Sequence, residues 1–396
     1  MKINIVGIGM DGEKTLTAEA KGAIEKADVL IGAKRMTEPF AALGKTVFDS
    51  WKANEIRAYL DGCGKDTAAV LMSGDCGFFS GAEALIQLLS GYDTEIIPGI
   101  STPVYMCSKL GIPWQEMRFV SLHGAIANIA LSVRRNAKCF FLLGGEITPA
   151  DICKRLCEYG LSDVRVHIGA RLAYSDERII SGLAGGLTEV SCDGLCAVMT
   201  ENGAPEKCVR AGIPDSEFER GNVPMTKAEI RAVLASKLKV CYNDIVWDIG
   251  CGTGSVSVEC ALAAYDGTVF AVDKCEDAAA LTERNARKFG CDNINVIHGA
   301  APDAPGGLPR PDKVFIGGAS GNISAVIDKA TEGDNSPKIV ITAVSLETLN
   351  EAACALKEHG LTASITQLAA ARYRLIGTHT MPDTQNPVFI IEGGGI

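Results

Sequence analysis

The residues best placed to do chemistry lie in the run Asp248-Ile-Gly-Cys-Gly-Thr-Gly254 and at Asp273. The run begins within a predicted strand, Ile245–Gly250, and leads into a predicted helix, Ser255–Ala264. Glycines at alternate positions let a backbone pass close to a ligand at the first turn of a helix. Asp273 ends the next apolar stretch, Thr268–Val272. An acid at that place can hold both ribose hydroxyls of an adenine cofactor. Three readings compete. A nicotinamide dinucleotide prefers G-x-G-x-x-G and sets its pyrophosphate over the helix N-terminus. S-adenosylmethionine has no phosphate, and an acid such as Asp248 suits its ammonium and sulfonium. A tight turn without a ligand would also use glycine. The order strand, turn, helix, strand, acid favours S-adenosylmethionine. On that reading the contacts are Thr226, Asp248, Gly250, Cys251, Gly252, Thr253, Gly254 and Asp273, with Ala300 and Ala301 after a third strand at Asn295–His298.

The first half carries a weaker set. Gly7-Ile-Gly-Met-Asp-Gly12 is formally G-x-G-x-x-G after a strand, but the acid Asp28 precedes the next strand, Val29–Ile31, instead of ending it. Dinucleotide binding is rejected there. Leu71–Ser80 and Ile96–Thr102 are strand ends running into glycine turns and then helices, where open α/β sheets place ligands. Asp75 either holds a polar cofactor group or caps the helix at Gly81–Leu89.

These motifs need alternating strands and helices to position them. Strands are predicted at Lys2–Val6, Val29–Ile31, Ala68–Met72, Asp93–Ile97, Phe119–Ser121, Lys138–Leu143, Val164–Ile168 and Gly194–Met199. Helices fall between them at Ala18–Lys26, Ala82–Leu89 and Pro149–Tyr159, the last opened by Thr148 as N-cap. This rhythm implies βαβ units and mostly parallel sheets. It breaks around residues 203–225, and a new unit opens at Thr226-Lys-Ala-Glu229, a capping-box pattern, followed by helix Ala228–Leu238. Two domains are expected, 1–208 and 209–396, each large enough to fold alone.

Composition narrows the function classes. A net charge of −10 argues against a broad nucleic-acid surface. Asn386-Pro-Val-Phe389 is similar to the Asn-Pro-aromatic motif of methyltransferases acting on nucleic-acid amino groups, but that motif belongs after the fourth strand, where this chain has Phe315-Ile-Gly-Gly318. It reads as an ordinary last strand. No stretch of 18 uninterrupted apolar residues and no signal-peptide pattern occurs, so no membrane partner and a cytoplasmic location are expected. The 15 cysteines lie mostly in apolar runs and form no C-x-x-C, so buried packing is expected and no metal.

Taken together, the two halves resemble known families. Residues 1–205 resemble the tetrapyrrole methylases through Val6-Gly-Ile-Gly9, Ser73–Ser80 and Pro98-Gly-Ile-Ser101. Trp114 and Ser121-Leu-His-Gly124 are similar to the branch that methylates C5 of a precorrin. Residues 212–396 resemble the C15-methylating, decarboxylating family through Val223–Lys227, Asp248–Val256, Gly299–Pro302, Phe315–Gly318 and Asn386–Phe389. The resemblance implies a tetrapyrrole methylase fold of two α/β subdomains, followed by a class I Rossmann-like methyltransferase domain. It implies S-adenosylmethionine as cofactor of both halves, with Gly9, Gly74, Asp75, Phe78, Ser101 and Thr102 as contacts in the first. A carboxylate-rich tetrapyrrole is the implied substrate, and a homo-oligomer the implied state. Arginine forks are expected to take its carboxylates, with Arg372 and Arg374 as the main candidates and Arg118, Arg171 and Arg178 in the first half. His123 is a candidate proton donor, with a structural hydrogen bond as the other reading. Met10-Asp11 and Cys76 depart from the family's Pro-Gly and Pro. The alternative function is a methyltransferase for another small molecule or a protein, whose first half only binds or oligomerises.

Overall fold

The computed structural model describes residues 1–122, 128–206, 211–318 and 321–394, so the candidate His123 lies outside them. The chain forms two compact units. The first begins with β1 (Lys2–Gly7), α1 (Ala18–Lys26), β2 (Val29–Gly32), α2 (Lys34–Thr37), β3 (Thr46–Asp49), α3 (Ala53–Gly62), β4 (Thr67–Met72), α4 (Ala82–Leu88) and β5 (Asp93–Ile97). These strands make one parallel sheet in the order β3-β2-β4-β1-β5. Side chains alternate across it: Ile3 and Ile5 pack in one apolar cluster, Val6 and Leu30 in another.

The chain continues through α5 (Thr102–Leu110), β6 (Met117–Ser121), α6 (Ile129–Arg135), β7 (Lys138–Leu142), α7 (Pro149–Glu158), β8 (Arg165–Ala170), β9 (Arg178–Leu183) and β10 (Cys196–Glu201). Thr148 and Asp151 cap α7 reciprocally, each side chain accepting the other's backbone N–H. Here the expectation of mostly parallel sheets is corrected. The second sheet runs β6-β7-β10-β8-β9, and only β6 and β7 are parallel. The link from Ala170 to Arg178 is too short for a parallel crossover, so β8 and β9 pair antiparallel.

The second unit comprises most of the chain after Asn202, together with α6 and Lys154–Ser162. Its elements are α8 (Ala228–Leu238), β11 (Ile245–Ile249), α9 (Ser255–Ala263), β12 (Thr268–Asp273), α10 (Glu276–Phe289), β13 (Ile294–His298), β14 (Lys313–Ile316), α11 (Ile323–Ala330), β15 (Lys338–Ala343), α12 (Leu346–Glu358), β16 (Ser364–Leu368), β17 (Ala371–Ile376), β18 (His379–Thr384) and β19 (Val388–Gly393). The sheet order is β13-β12-β11-β14-β15-β19-β16, with β19 antiparallel to both neighbours and β17–β18 a separate hairpin. This is the class I methyltransferase order, as expected from the sequence. Val246 and Phe315 pack with Leu234 and Val258 in one core, and Trp247 and Val314 with Val326 and Leu356 in another. Strand order reverses between β12 and β14 around the central β11, the position where such sheets open a crevice.

The expected capping box does not form. Lys227 occupies the N-cap of α8 without a side-chain hydrogen bond, and Glu229 turns to Arg372 instead of reaching back along the chain.

Candidate active site

At the C-terminal ends of β11, β12 and β14 the second unit encloses a cavity of about 910 Å³. Thr226, Gly250, Cys251, Gly252, Asp273, Ala300 and Ala301 line it, so the structure brings together seven of the ten residues expected around the second cofactor. The remaining three lie beneath. Gly254 is the left-handed N-cap of α9, and Thr253 is buried.

The glycine turn is shaped by its neighbours. Gly252 has φ +57°, and a Cβ there would stand 2.6 Å from the Pro224 carbonyl oxygen. A side chain at this place would push Val223–Lys227 off the turn. Asp273 ends β12 and holds the turn from the other side. Its Oδ2 accepts the Gly252 N–H at 2.9 Å, and its Oδ1 accepts the Cys275 N–H at 2.9 Å. A carboxylate has about four acceptor sites, so sites for ribose hydroxyls remain.

Asp248 is fully buried under the turn. Ser257 donates to its Oδ2, and its Oδ1 has no hydrogen-bond partner among the described residues. Burial pushes its carboxyl up to about 7; the Ser257 hydrogen bond opposes this, and the Asp273 charge adds to it. Such a group gains from a cationic ligand nearby. The fit to S-adenosylmethionine is therefore good, and the fit to a pyrophosphate poor, because two carboxylates flank the turn and the Gly252 N–H is already engaged. Burial also drives the Cys251 thiol far above its usual range, which removes it as a nucleophile.

In the first unit three loops meet. Gly9 and Gly74 exchange backbone hydrogen bonds at 3.1 and 2.6 Å. A Cβ on Gly99 would lie 2.2 Å from the Gly74 carbonyl oxygen, so this junction has no room for a side chain. Asp75 binds it together: its Oδ1 accepts Gly77 N–H and its Oδ2 accepts Gly99 N–H, both at 2.9 Å. It does not cap α4, whose first turn is served by Ser80 Oγ. Ser101 is buried at the N-cap of α5 and Thr102 opens that helix. Phe78 packs edge-on against Phe119 and Phe140, in apolar contact with the second sheet.

The departures at Met10-Asp11 and Cys76 have local substitutes. Asp11 Oδ1 accepts the N–H groups of Glu13 and Thr15 and the Thr15 hydroxyl, while Oδ2 accepts Lys14 N–H. Buried Cys76 directs its thiol to the carbonyls of Ile5 and Ile97 at 3.6 Å each.

Two family models match successive parts of the chain. Residues 2–188 match the family model of the tetrapyrrole (corrin/porphyrin) methylases, and residues 217–392 that of the precorrin methyltransferase domain. A precorrin-6Y C(5,15)-methyltransferase (decarboxylating) of Sinorhizobium sp is 30% identical over 397 residues, covering 97% of this chain and 95% of that protein. The chain belongs to the precorrin-6Y C5,15-methyltransferase family. Within that family architecture, its second part is similar to a probable cobalt-precorrin-6B C(15)-methyltransferase (decarboxylating) of Pyrobaculum calidifontis, 46% identical over 183 residues, covering 46% of this chain and 94% of that protein. The solved precorrin 8W decarboxylase of Methanobacterium thermoautotrophicum is 34% identical, with a TM-score of 0.44, covering 46% of this chain and all of that one.

Neither hairpin arginine lines the cavity. Arg374 is exposed on β17, with no ion-pair partner among the described residues. Arg372 was expected to offer a free fork, but protein carboxylates fill it: Nε and Nη2 meet both oxygens of Glu229 at 2.8 and 2.6 Å, and Nη2 meets Asp215 at 2.9 Å. In the first half Arg171 is paired with Asp176 at 2.5 Å. Sequence reasoning missed Ser257, Asp215, Arg231 and Glu259. Their partners lie on other elements, and no local pattern marks them.

Proposed function

We infer that this chain is a bifunctional S-adenosylmethionine-dependent C-methyltransferase of cobalamin biosynthesis. It methylates C5 and C15 of a precorrin ring and decarboxylates its C12 acetate. The observation that carries this reading is the pairing of a full-length family match with a cavity that Asp273 lines, with Asp248 buried under its glycine turn. S-adenosylmethionine, when bound, supplies an electrophilic methyl group and departs as a neutral thioether. The chain's own part is to bind, align and exclude water, which suits enamine-like ring carbons that need little help from a base.

In the second unit Asp273 is assigned the ribose hydroxyls, Asp248 the cationic end, and Thr226, Ala300 and Ala301 the walls of the donor site. In the first, Gly9, Gly74, Ser101 and Thr102 form the donor loops, with Asp75 and Phe78 holding their shape. Arg374 is assigned a ring carboxylate, and His123 a proton. The domain division is placed at 208/209, and the active species is a cytoplasmic homo-oligomer without nucleic-acid or membrane partners.

Mass spectrometry of metal-free and cobalt-loaded precorrin-6Y incubated with S-adenosylmethionine tests the reading. Gain of two methyl groups with loss of carbon dioxide is expected on one of them. No mass change on either returns the chain to the class of methyltransferases for another acceptor.

A further inference from the structure

We propose that Arg372 is a positioning residue: it clamps the β17–β18 hairpin to the segment that covers the second donor cavity, instead of gripping substrate. The proposal rests on the reading of that cavity as a methyl-donor site. The clamp is a chain of five charged groups in the second unit. Arg372 joins Glu229, in the first turn of α8, to Asp215. The other oxygen of Asp215 faces Arg231 Nη1 at 3.4 Å, and Arg231 Nε binds Glu259 at 2.6 Å. Arg231 is fully buried, and Asp215 and Glu259 are nearly so. Glu259 in turn accepts the N–H groups of Gly212 and Ile213.

One further bond ties this network to the site. Arg231 Nη1 donates to the Thr226 carbonyl at 2.5 Å. Thr226 belongs to Val223–Lys227, all five of which line the cavity, and the Pro224 carbonyl rests on Gly252 of the glycine turn. Arg372 thus helps fix the orientation of Asp215, Asp215 that of Arg231, and Arg231 the segment pressed on the donor-binding turn. A guanidinium is suited to this, since its rigid fork serves two carboxylates at once and an ammonium cannot.

The test is calorimetric titration of the full-length protein with S-adenosylhomocysteine, the second site being identified as the one lost in Asp273→Ala. Arg372→Ala is expected to weaken that site about tenfold, and Arg372→Lys to fall in between. Glu229→Gln should reproduce the loss. Combined with Arg372→Ala it should add little, because the two groups act as one unit. The KM for the ring substrate should stay near the parental value in Arg372→Ala and rise in Arg374→Ala. Parental S-adenosylhomocysteine affinity in Arg372→Ala, with a raised ring-substrate KM, would overturn the clamp. If Arg372→Ala does not fold, Arg372→Lys and Glu229→Gln decide by the same criterion. If the parent protein loses no site on Asp273→Ala, the cavity reading fails and the clamp with it.

Discussion

The glycine turns of the two units look alike in sequence and are used differently. In the second unit Gly250–Gly252 borders an open cavity, and one oxygen of the buried Asp248 has no partner among the described residues. In the first, Gly7, Gly74 and Gly99 face one another so closely that carbonyl and amide occupy the space a side chain would need. Asp75, like Asp273, accepts one neighbouring N–H on each oxygen. Both sets make room for backbone, since a Cβ on Gly250 would meet the Gly318 nitrogen at 2.7 Å and one on Gly252 the Pro224 carbonyl oxygen at 2.6 Å, and the second set also borders the cavity. Asp75 and Asp273 keep the same remaining capacity, so what distinguishes the second turn is the buried carboxylate of Asp248 beneath it, whose Oδ1 has no partner among the described residues.

The comparison breaks most visibly at Asp273. Asp273→Ala is expected to weaken donor binding at the second site at least about a hundredfold, because charge-assisted hydrogen bonds to two hydroxyls are lost. C5 methylation should persist; loss of both methylations would show that the sites are not independent. Next in size is Gly99→Ala, expected to lower stability by about 2 kcal/mol through overpacking against Gly74, measured by denaturant unfolding. An unchanged unfolding midpoint would mean the three-loop junction is looser than its geometry.

A pH experiment sharpens the contrast between the acids. Asp248 has its carboxyl raised to about 7 in the folded protein. Its neutral form is favoured there, so its contribution to stability is complete below its unfolded value of 3.8 and is lost as pH rises through about 7. The slope is on the order of 1.4 kcal/mol per pH unit at most. A cationic ligand reverses the preference and favours the carboxylate. Affinity for S-adenosylmethionine at the second site should therefore rise about tenfold between pH 6 and pH 8, with proton release, and Asp248→Asn should flatten the profile. A pH-independent affinity in the parent protein would remove Asp248 from the site. The smallest effect is expected at Asp11→Ala, about 1 kcal/mol of stability from the lost loop hydrogen bonds, read as a lowered melting temperature.

Much of this architecture was legible in the residues. The periods of the apolar runs located α1, α8, β5 and β11 to within a residue, because burial on one face is a local pattern. The strand ends that carry Asp248 and Asp273 were also legible, since a strand-end acid and a glycine turn need only short-range chain geometry. The edge strand β3 was missed: its exposed face carries little apolar signal. So was the hairpin β17–β18, whose residues are largely exposed.

What the amino-acid sequence determined by itself was the two-unit order, the class of the second fold and the position of the glycine turn ahead of α9. Tertiary structure alone decided what the polar side chains do. Glu229, placed for a capping box, instead meets Arg372 from 143 residues away. Asp75, placed for a cap or a ligand, binds Gly99 in the next strand's loop. The pairing in the second sheet was likewise set by a short connection and by β10 inserting between β7 and β8. The physical reason is common to all three. An apolar face is specified by its own spacing, whereas a carboxylate or a strand edge takes whichever complementary group the completed fold brings within about 3 Å.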